Sequence, residues 1–428
     1  MNIFLQSLGC RLNEAELESW ADGFSARGHS IRQNPDDADL VVINTCAVTD
    51  EAAKKSRQLI RRSQRQNPYA KLVVSGCYAT LAPGLPQRIP GIDLLVPNED
   101  KDRLPALVES QIVETAMPDT ATGPGTSALF ARGRNRAFIK IQDGCRYRCT
   151  FCIVTVARGS ERSVTPDTVI EQINSISQQG IKEVVLTGVH VGGYGSDIQS
   201  SLFILVEAIL AETDIPRVRL ASVEPWDLPE NFFTLFDNPR LMPHLHLPLQ
   251  SGSDVVLKAM ARRCRTLDYA ALLHRARSQV PDMNITTDII VGFPGETDEE
   301  WQNGLQFLRE MAFSHMHIFP YSTRAGTHAA TLPGQLQLKV KKQRCRELHR
   351  VMRTMKHEAL QAQVGQRVPV LVETMREDDE ALVASGYSPA YHRVEFMPSA
   401  TDDETNHIRD VRITGLAPCN QALTGVPA

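Results

Sequence analysis

Three cysteines fall inside the stretch Gly144-Cys145-Arg146-Tyr147-Arg148-Cys149-Thr150-Phe151-Cys152. Their Cys-x3-Cys-x2-Cys spacing ties one loop to one point in space, and it constrains the chain more than any other feature. Thiolates this close together can wrap a single metal centre. A closed tetrahedral zinc site needs four ligands, and no fourth Cys or His lies nearby in the sequence. Three thiolates suit a four-iron cluster that leaves one iron open to a small molecule. Three unrelated cysteines, or a zinc knuckle short of a ligand, stand as the plainer alternatives.

Upstream of this loop, in residues 1–110, apolar runs alternate with amphipathic ones. Ile3–Ser7, Leu40–Asn44, Lys71–Ser75 and Asp93–Val96 read as buried strands. Glu14–Arg27, Glu51–Gln66 and Lys101–Glu109 read as helices, the first capped by Asn13 and the second opened by Asp50. Such alternation predicts a parallel, doubly wound α/β sheet. Cys10, Cys46 and Cys77 each follow the carboxyl end of one of these strands. Ligands of open α/β sheets bind at that edge. Three thiols far apart in sequence can thus meet at a second iron–sulfur cluster with an open iron. The alternative is three buried structural cysteines, since free Cys is among the most buried residue types.

The net charge of −4 by itself predicts no nucleic-acid partner, and with aromatics at 6% no base-stacking platform is evident. The charges are unevenly placed, however. Lys54, Arg57, Arg61 and Arg65 fall within about 80° of one another on a helix. From Lys54 to Lys71 there are seven Lys or Arg and no Asp or Glu. A solvated helix face and a phosphate-contacting face both fit this pattern. From Ala131 to Ser163, around the cysteine loop, eight Lys or Arg stand against two Asp or Glu.

Residues 111–136 hold Pro118, Gly123, Pro124, Gly125 and Gly133 with little periodicity, and are expected to form a linker. Residues 137–365 return to strand–loop–helix units. Strands are expected at Ala137–Ile141, Glu183–Thr187, Arg217–Ala221, His244–Leu247, Asn284–Val291 and Ser314–Phe319. A partial or full (β/α) barrel follows, with its site at the carboxyl ends of the strands. The loop with the cysteine triplet, Gly188, Glu224 and Gln250 all lie at such ends. His190, His244, His246, His315 and His317, and the cysteines Cys264 and Cys345, read as ordinary packing residues. A helix at Lys339–Lys356 shows a basic outer face. Residues 366–428 carry short strand-like runs and are expected to form a small antiparallel β-barrel. Five Lys or Arg against ten Asp or Glu give that barrel a weak basis as an RNA-binding domain.

Nine cysteines, clustered as these are, point to metal ligands rather than disulfides in a reducing compartment. The start Met1-Asn2-Ile3-Phe4-Leu5-Gln6 has no basic, then apolar, signal pattern, and no apolar run reaches membrane-spanning length. A cytoplasmic protein without membrane contact is expected.

Taken together, the motifs resemble the methylthiotransferase family of the radical S-adenosylmethionine (SAM) superfamily. The likeness runs from about residue 3 to about residue 416. It rests on Gly9-Cys10-Arg11-Leu12-Asn13, Asn44-Thr45-Cys46, Ser75-Gly76-Cys77-Tyr78, the central triplet and the terminal barrel, which is similar to a TRAM domain. Within the family, Ala157-Arg158-Gly159, Leu186-Thr187-Gly188-Val189-His190, Ser222-Val223-Glu224-Pro225 and Gly386-Tyr387-Ser388 look most like the subgroup acting on threonylcarbamoyladenosine of tRNA. Other subgroups act on isopentenyladenosine or on a ribosomal-protein aspartate.

The resemblance implies two [4Fe–4S] clusters. One, on Cys145, Cys149 and Cys152, binds SAM and splits it to a 5′-deoxyadenosyl radical. The other, on Cys10, Cys46 and Cys77, holds the sulfur that is inserted at C2 of the adenine and then methylated. It implies that Phe151 lies against the SAM adenine, and that Gly188, Glu224 and Gln250 contact SAM. It also implies that Lys54, Arg57, Arg61, Arg65 and Arg158 meet tRNA phosphates. An electron donor such as flavodoxin or ferredoxin and a sulfur donor are the further partners expected, and DNA is not. A non-catalytic iron–sulfur sensor that binds RNA is the reading from a different class.

Overall fold

The apolar run Leu40–Thr45 is buried at all six positions, as a strand covered on both faces must be. In the computed structural model, which describes residues 1–112, 135–378, 381–398, 403–418 and 421–428, it is the central strand of the first sheet. The expected linker lies almost wholly outside the described residues, as do Arg132, Arg134 and Cys419. The chain divides into two compact units. The first comprises Met1–Val164, Thr187–Val189 and Ser322–Thr327; the second comprises Thr165–Leu186, His190–Tyr321 and His328–Ala428.

In the first unit, strands β1 (Asn2–Ser7), β2 (Ser30–Arg32), β3 (Leu40–Thr45), β4 (Lys71–Gly76) and β5 (Leu94–Val96) form a sheet of order β2-β1-β3-β4-β5. Every pairing is parallel. The two faces divide with the strand period of two. Ile3, Leu40 and Val42 pack with Leu17, Trp20 and Phe24 of helix α1 (Arg11–Ser25). Val41, Ile43, Leu72 and Val74 pack with Ile60 of helix α2 (Asp50–Gln66). Strand order reverses between β1 and β3, which opens a crevice at their carboxyl ends.

Two expected helix starts shift. Asn13 is not a cap: it lies inside the first turn of α1 and is buried, with Cys10 at the cap position. Thr49, not Asp50, caps α2, its Oγ1 accepting from the Ala52 amide at 3.0 Å. β2 is three residues long, too short for a period to register.

In the second unit, the strand Arg217–Leu220 pairs in parallel with residues Glu183 to Leu186. His244–His246, Asn284–Val291 and His315–Pro320 form a second parallel set. Parallel bridges at Val218–Leu241 and Ser222–His246 join the sets. The helices Pro166–Gln178, Leu202–Glu212, Thr266–Gln279, Asp298–Glu310 and Leu338–Gln361 alternate with them, as a (β/α) barrel segment requires. The last of these helices is basic outside, but Lys341 and Arg344 turn inward, Arg344 pairing with Glu296 at 2.6 Å.

The terminal domain is a closed five-stranded barrel in the order Arg367–Asp378, Ala381–Tyr387, Arg393–Phe396, Leu423–Pro427, Ile408–Leu416. It departs from the expected antiparallel barrel in one pairing: Arg393–Phe396 runs parallel to Leu423–Pro427. Its core is Val370, Val372, Ala384, Val394, Phe396, Val411, Ile413 and Leu423.

This barrel attaches to the amino-terminal ends of the parallel strands. Arg217 donates to Tyr387 O at 3.2 Å and Arg219 to Pro389 O at 3.0 Å. Tyr391 stacks on His244, and the Arg219 guanidinium lies 4.6 Å from the Tyr391 ring centre. Both arginines also pair with the fully buried Glu183. Removing one partner of a buried pair costs about 3–5 kcal/mol. Arg219→Leu should therefore lower the chemical-denaturation midpoint of the second unit. Adding Glu183→Leu, which also takes the carboxylate away from the buried Arg217, should lower the midpoint further.

Candidate functional site

The turns that carry the first three cysteines pack directly on one another. Cys10 follows β1, Cys46 follows β3, and Cys77 opens the short helix α3 (Cys77–Leu81) after β4. A Cβ on Gly9 would lie 2.8 Å from Cys46 Cβ and 3.0 Å from its Sγ. One on Gly76 would lie 2.4 Å from Thr45 O. Backbone close approach is thus what brings the three thiols to the crevice where strand order reverses. Cys46 and Cys77 are buried, Cys10 is exposed, and none is in a disulfide. Burial pushes the Cys46 thiol up to about 11, with Cys10 and Cys77 adding to the effect. Asn98 Nδ2 lies 3.7 Å from Cys77 Sγ. Three mutually coupled sulfurs with an amide donor beside them fit a cluster that draws its charge balance from the protein.

The triplet sits on a pinched loop. Gln142 and Asp143 pair in antiparallel fashion with Ser163 and Arg162, closing its base. Gly144 has φ +72°, and a Cβ there would fall 1.9 Å from Ser160 O, so no other residue fits. The Cys145 amide donates to Gly159 O at 3.1 Å and the Cys152 amide to Cys149 O at 3.0 Å. Thr155 Oγ1 holds Tyr147 O at 3.0 Å. All three cysteines are half-buried, and so is Phe151 beside them. Three half-buried sulfurs on a tightly fixed turn match the donor set of a cluster with a vacant iron. A Cβ on Gly188 would lie 2.9 Å from Gln142 O, so its lack of a side chain serves this close backbone contact.

A buried quartet of charges ties the two cysteine sets together. Arg158, at the end of the helix Val154–Arg158, reaches Glu16 at 2.8 Å, Asp143 at 3.2 Å and Asn13 Oδ1 at 2.8 Å. Lys101 Nζ lies 2.6 Å from both Glu16 and Asp143. Burial opposes ionisation of Glu16, but Arg158 and Lys101 outweigh it and hold the carboxyl at about 2. Asp143 is held low in the same way, against its burial. The expected contact of Arg158 with tRNA phosphate is corrected here. Its side chain is only 3% exposed and its donors point at carboxylates inside the protein.

Lys54, Arg61 and Arg65 are exposed on α2, whose opposite face buries Ala53, Ser56, Ile60 and Ser63. Arg57 on the same side is half-buried, with its guanidinium 5.7 Å from the Tyr78 ring centre. Arg324 escaped notice in the sequence. It donates to Ala47 O, next to Cys46, and pairs with Asp50.

In the second unit, Glu224 and Gln250 stand at the ends of neighbouring strands. Arg262 pairs with Glu224 at 2.7 Å and donates to Pro248 O, two residues before Gln250, with its guanidinium 4.4 Å from the Trp226 ring centre. Gln250 has φ +82°, a conformation that non-glycine residues hold only under constraint. His190 pairs with Asp227 at 2.6 Å and is buried.

Because Gly144 has no room for a side chain, Gly144→Ala should displace the triplet. Iron and visible absorbance of the reconstituted protein should fall by about the share of one cluster of two, as in the Cys145→Ala variant.

A family model described as Radical SAM superfamily matches residues 139–308, and one described as Uncharacterized protein family UPF0004 matches residues 2–97. The threonylcarbamoyladenosine tRNA methylthiotransferase MtaB of Bacillus subtilis is 35% identical, over 96% of this chain and 93% of its own length. The protein of the same name from Thermotoga maritima is 34% identical, over 96% and 94%. The tRNA-2-methylthio-N(6)-dimethylallyladenosine synthase of Staphylococcus saprophyticus is 32% identical, over 92% and 79%. In fold, the chain is similar to the radical SAM methyltransferase TsrM of Kitasatospora setae, with a TM-score of 0.57, 15% identity and 77% of each chain covered. The chain is a transferase that uses SAM and [4Fe–4S] clusters, and it belongs to the methylthiotransferase family of the radical SAM superfamily.

Proposed function

We propose that this chain adds a methylthio group at C2 of N6-threonylcarbamoyladenosine at position 37 of tRNA. The observation that carries the reading is the meeting of Cys10, Cys46 and Cys77 at one crevice, joined through a buried charge network to the loop of Cys145, Cys149 and Cys152. Relatives bearing the threonylcarbamoyladenosine name at 35% and 34% identity support this substrate. A dimethylallyladenosine-named relative at 32% identity supports the second reading, isopentenyladenosine of tRNA.

In this reading the two cysteine trios each hold a four-iron cluster. With SAM, these supply the one-electron chemistry and the sulfur that an unactivated adenine C2 requires. The protein's own part is positional. Phe151 offers a flat apolar surface beside Cys152 for the SAM adenine. Glu224, held by Arg262, presents a carboxylate to the polar end of SAM, and Gln250 adds a constrained amide. Gly188 keeps the backbone near Gln142 bare of side chain. The exposed face of Lys54, Arg61 and Arg65, with Arg57, offers cations to tRNA phosphates. An external electron donor such as flavodoxin or ferredoxin, a sulfur donor and a cytoplasmic location complete the proposal. Among the described residues no helix is long and apolar enough to cross a membrane.

Two experiments test it. Mass spectrometry of tRNA nucleosides from a strain lacking this gene should show loss of the methylthio group from threonylcarbamoyladenosine alone. Loss from isopentenyladenosine would favour the second reading. With SAM and a reductant, the reconstituted protein should form 5′-deoxyadenosine. Cys145→Ala should abolish it, whereas Cys77→Ala should keep it and lose only the methylthio product. Absence of 5′-deoxyadenosine from the wild type would point to a sensor instead. Separately, replacing Lys54, Arg61 and Arg65 by Ala should weaken tRNA binding and flatten the log–log salt slope by about 2–3, since each phosphate contact contributes about 0.7–0.9.

A further inference from the structure

We propose that Arg158 is a positioning residue for the cluster on Cys10, Cys46 and Cys77: its buried cation offsets the charge of that cluster, and the strap Ala157-Arg158-Gly159 fixes it relative to the triplet. The inference rests on the reading that these three cysteines hold a cluster.

Three consecutive residues make three separate links, each ending beside a cysteine. Ala157 O accepts from Asn98 Nδ2 at 2.8 Å, and the same amide nitrogen lies 3.7 Å from Cys77 Sγ. Arg158 donates to Asn13 Oδ1 at 2.8 Å, and that oxygen lies 3.7 Å from Cys10 Sγ. Gly159 O accepts from the Cys145 amide at 3.1 Å. One turn of chain therefore touches both trios. Neither Asn13 nor Asn98 can shift without moving this strap, because each is buried, at 1% and 3% exposure.

The charges follow the same geometry. Arg158 and Lys101 together balance Glu16 and Asp143, so the quartet is neutral before any cluster is bound. Its members are not equally placed. Both cations reach the same two carboxylates, but Arg158 also donates to Asn13 at the Cys10 turn. Arg158 also interacts electrostatically with Cys10 and Cys77. A cluster on three thiolates carries net negative charge that increases on reduction. A desolvated cation beside its sulfurs favours the reduced form and raises its potential. A surface arginine would be screened and would do neither.

The test uses the full chain reconstituted with iron and sulfide under anaerobic conditions, with the triplet replaced by alanine so that one cluster is read alone. Iron content is measured first, then the midpoint potential by redox titration followed by electron paramagnetic resonance. Arg158→Lys keeps the charge. Glu16→Gln with Arg158→Gln removes the cation while keeping the remaining pair, Lys101 and Asp143, neutral. The double variant should retain iron and show a clearly lower potential than its parent, and Arg158→Lys should stay near the parent. A purely structural role would give loss of iron with both variants and no potential shift in what remains, and would overturn the proposal. So would a double variant with full iron and an unchanged potential. No iron in the parent itself would sink the cluster reading and this inference together.

Discussion

Four charged side chains out of reach of water hold the first unit in register: Glu16, Lys101, Asp143 and Arg158. Each comes from a different segment, namely helix α1, the turn before Leu104, the base of the triplet loop and the short helix that follows it. Desolvating ions costs several kcal/mol apiece, and their mutual attraction repays this only when geometry is good. Here every member has at least two partners at 3.2 Å or less. A greasy replacement could be as stable, but it would not set the position of a polar loop against a sheet edge. The network's value lies in specifying one arrangement among several of similar burial.

That arrangement matters because the two cysteine sets are built in different ways. Cys10, Cys46 and Cys77 sit where the strand order reverses, so the helices on either side leave the crevice uncovered. Small residues let the three turns close to contact. The triplet's loop is rigid for a different reason: a two-residue pairing at its base and a glycine that admits no side chain. Cys10 is exposed and Cys145, Cys149 and Cys152 are half-buried, so each set keeps at least one sulfur-bearing residue in reach of solvent.

Most of this was legible where it depends on period or local spacing. The strand–helix alternation, the strand-end cysteines and the exposed side of α2 all follow from residues near one another in the chain. What was not legible depends on distance. Arg158 and Glu16 are 142 positions apart, and both look like ordinary surface charges until the fold buries them. The same holds for Lys101, and for Arg324, which reaches back to Ala47. Asn13 resembles a helix cap, yet its amide bonds Leu8 O and Thr45 O, and the second contact is made only after β3 is in place. The strand Leu423–Pro427 contains Gly425 and Pro427 and so reads as a loop; pairing on both sides makes it a strand.

The attachment of the terminal barrel carries one more implication. Arginines and an asparagine of the parallel strands grip it through main-chain oxygens, those of Tyr387, Pro389 and Ala390. Such a joint recognises the path of the loop and is largely indifferent to which side chains the rest of the barrel displays. Changes of charge on the barrel's outer surface therefore leave these three contacts untouched.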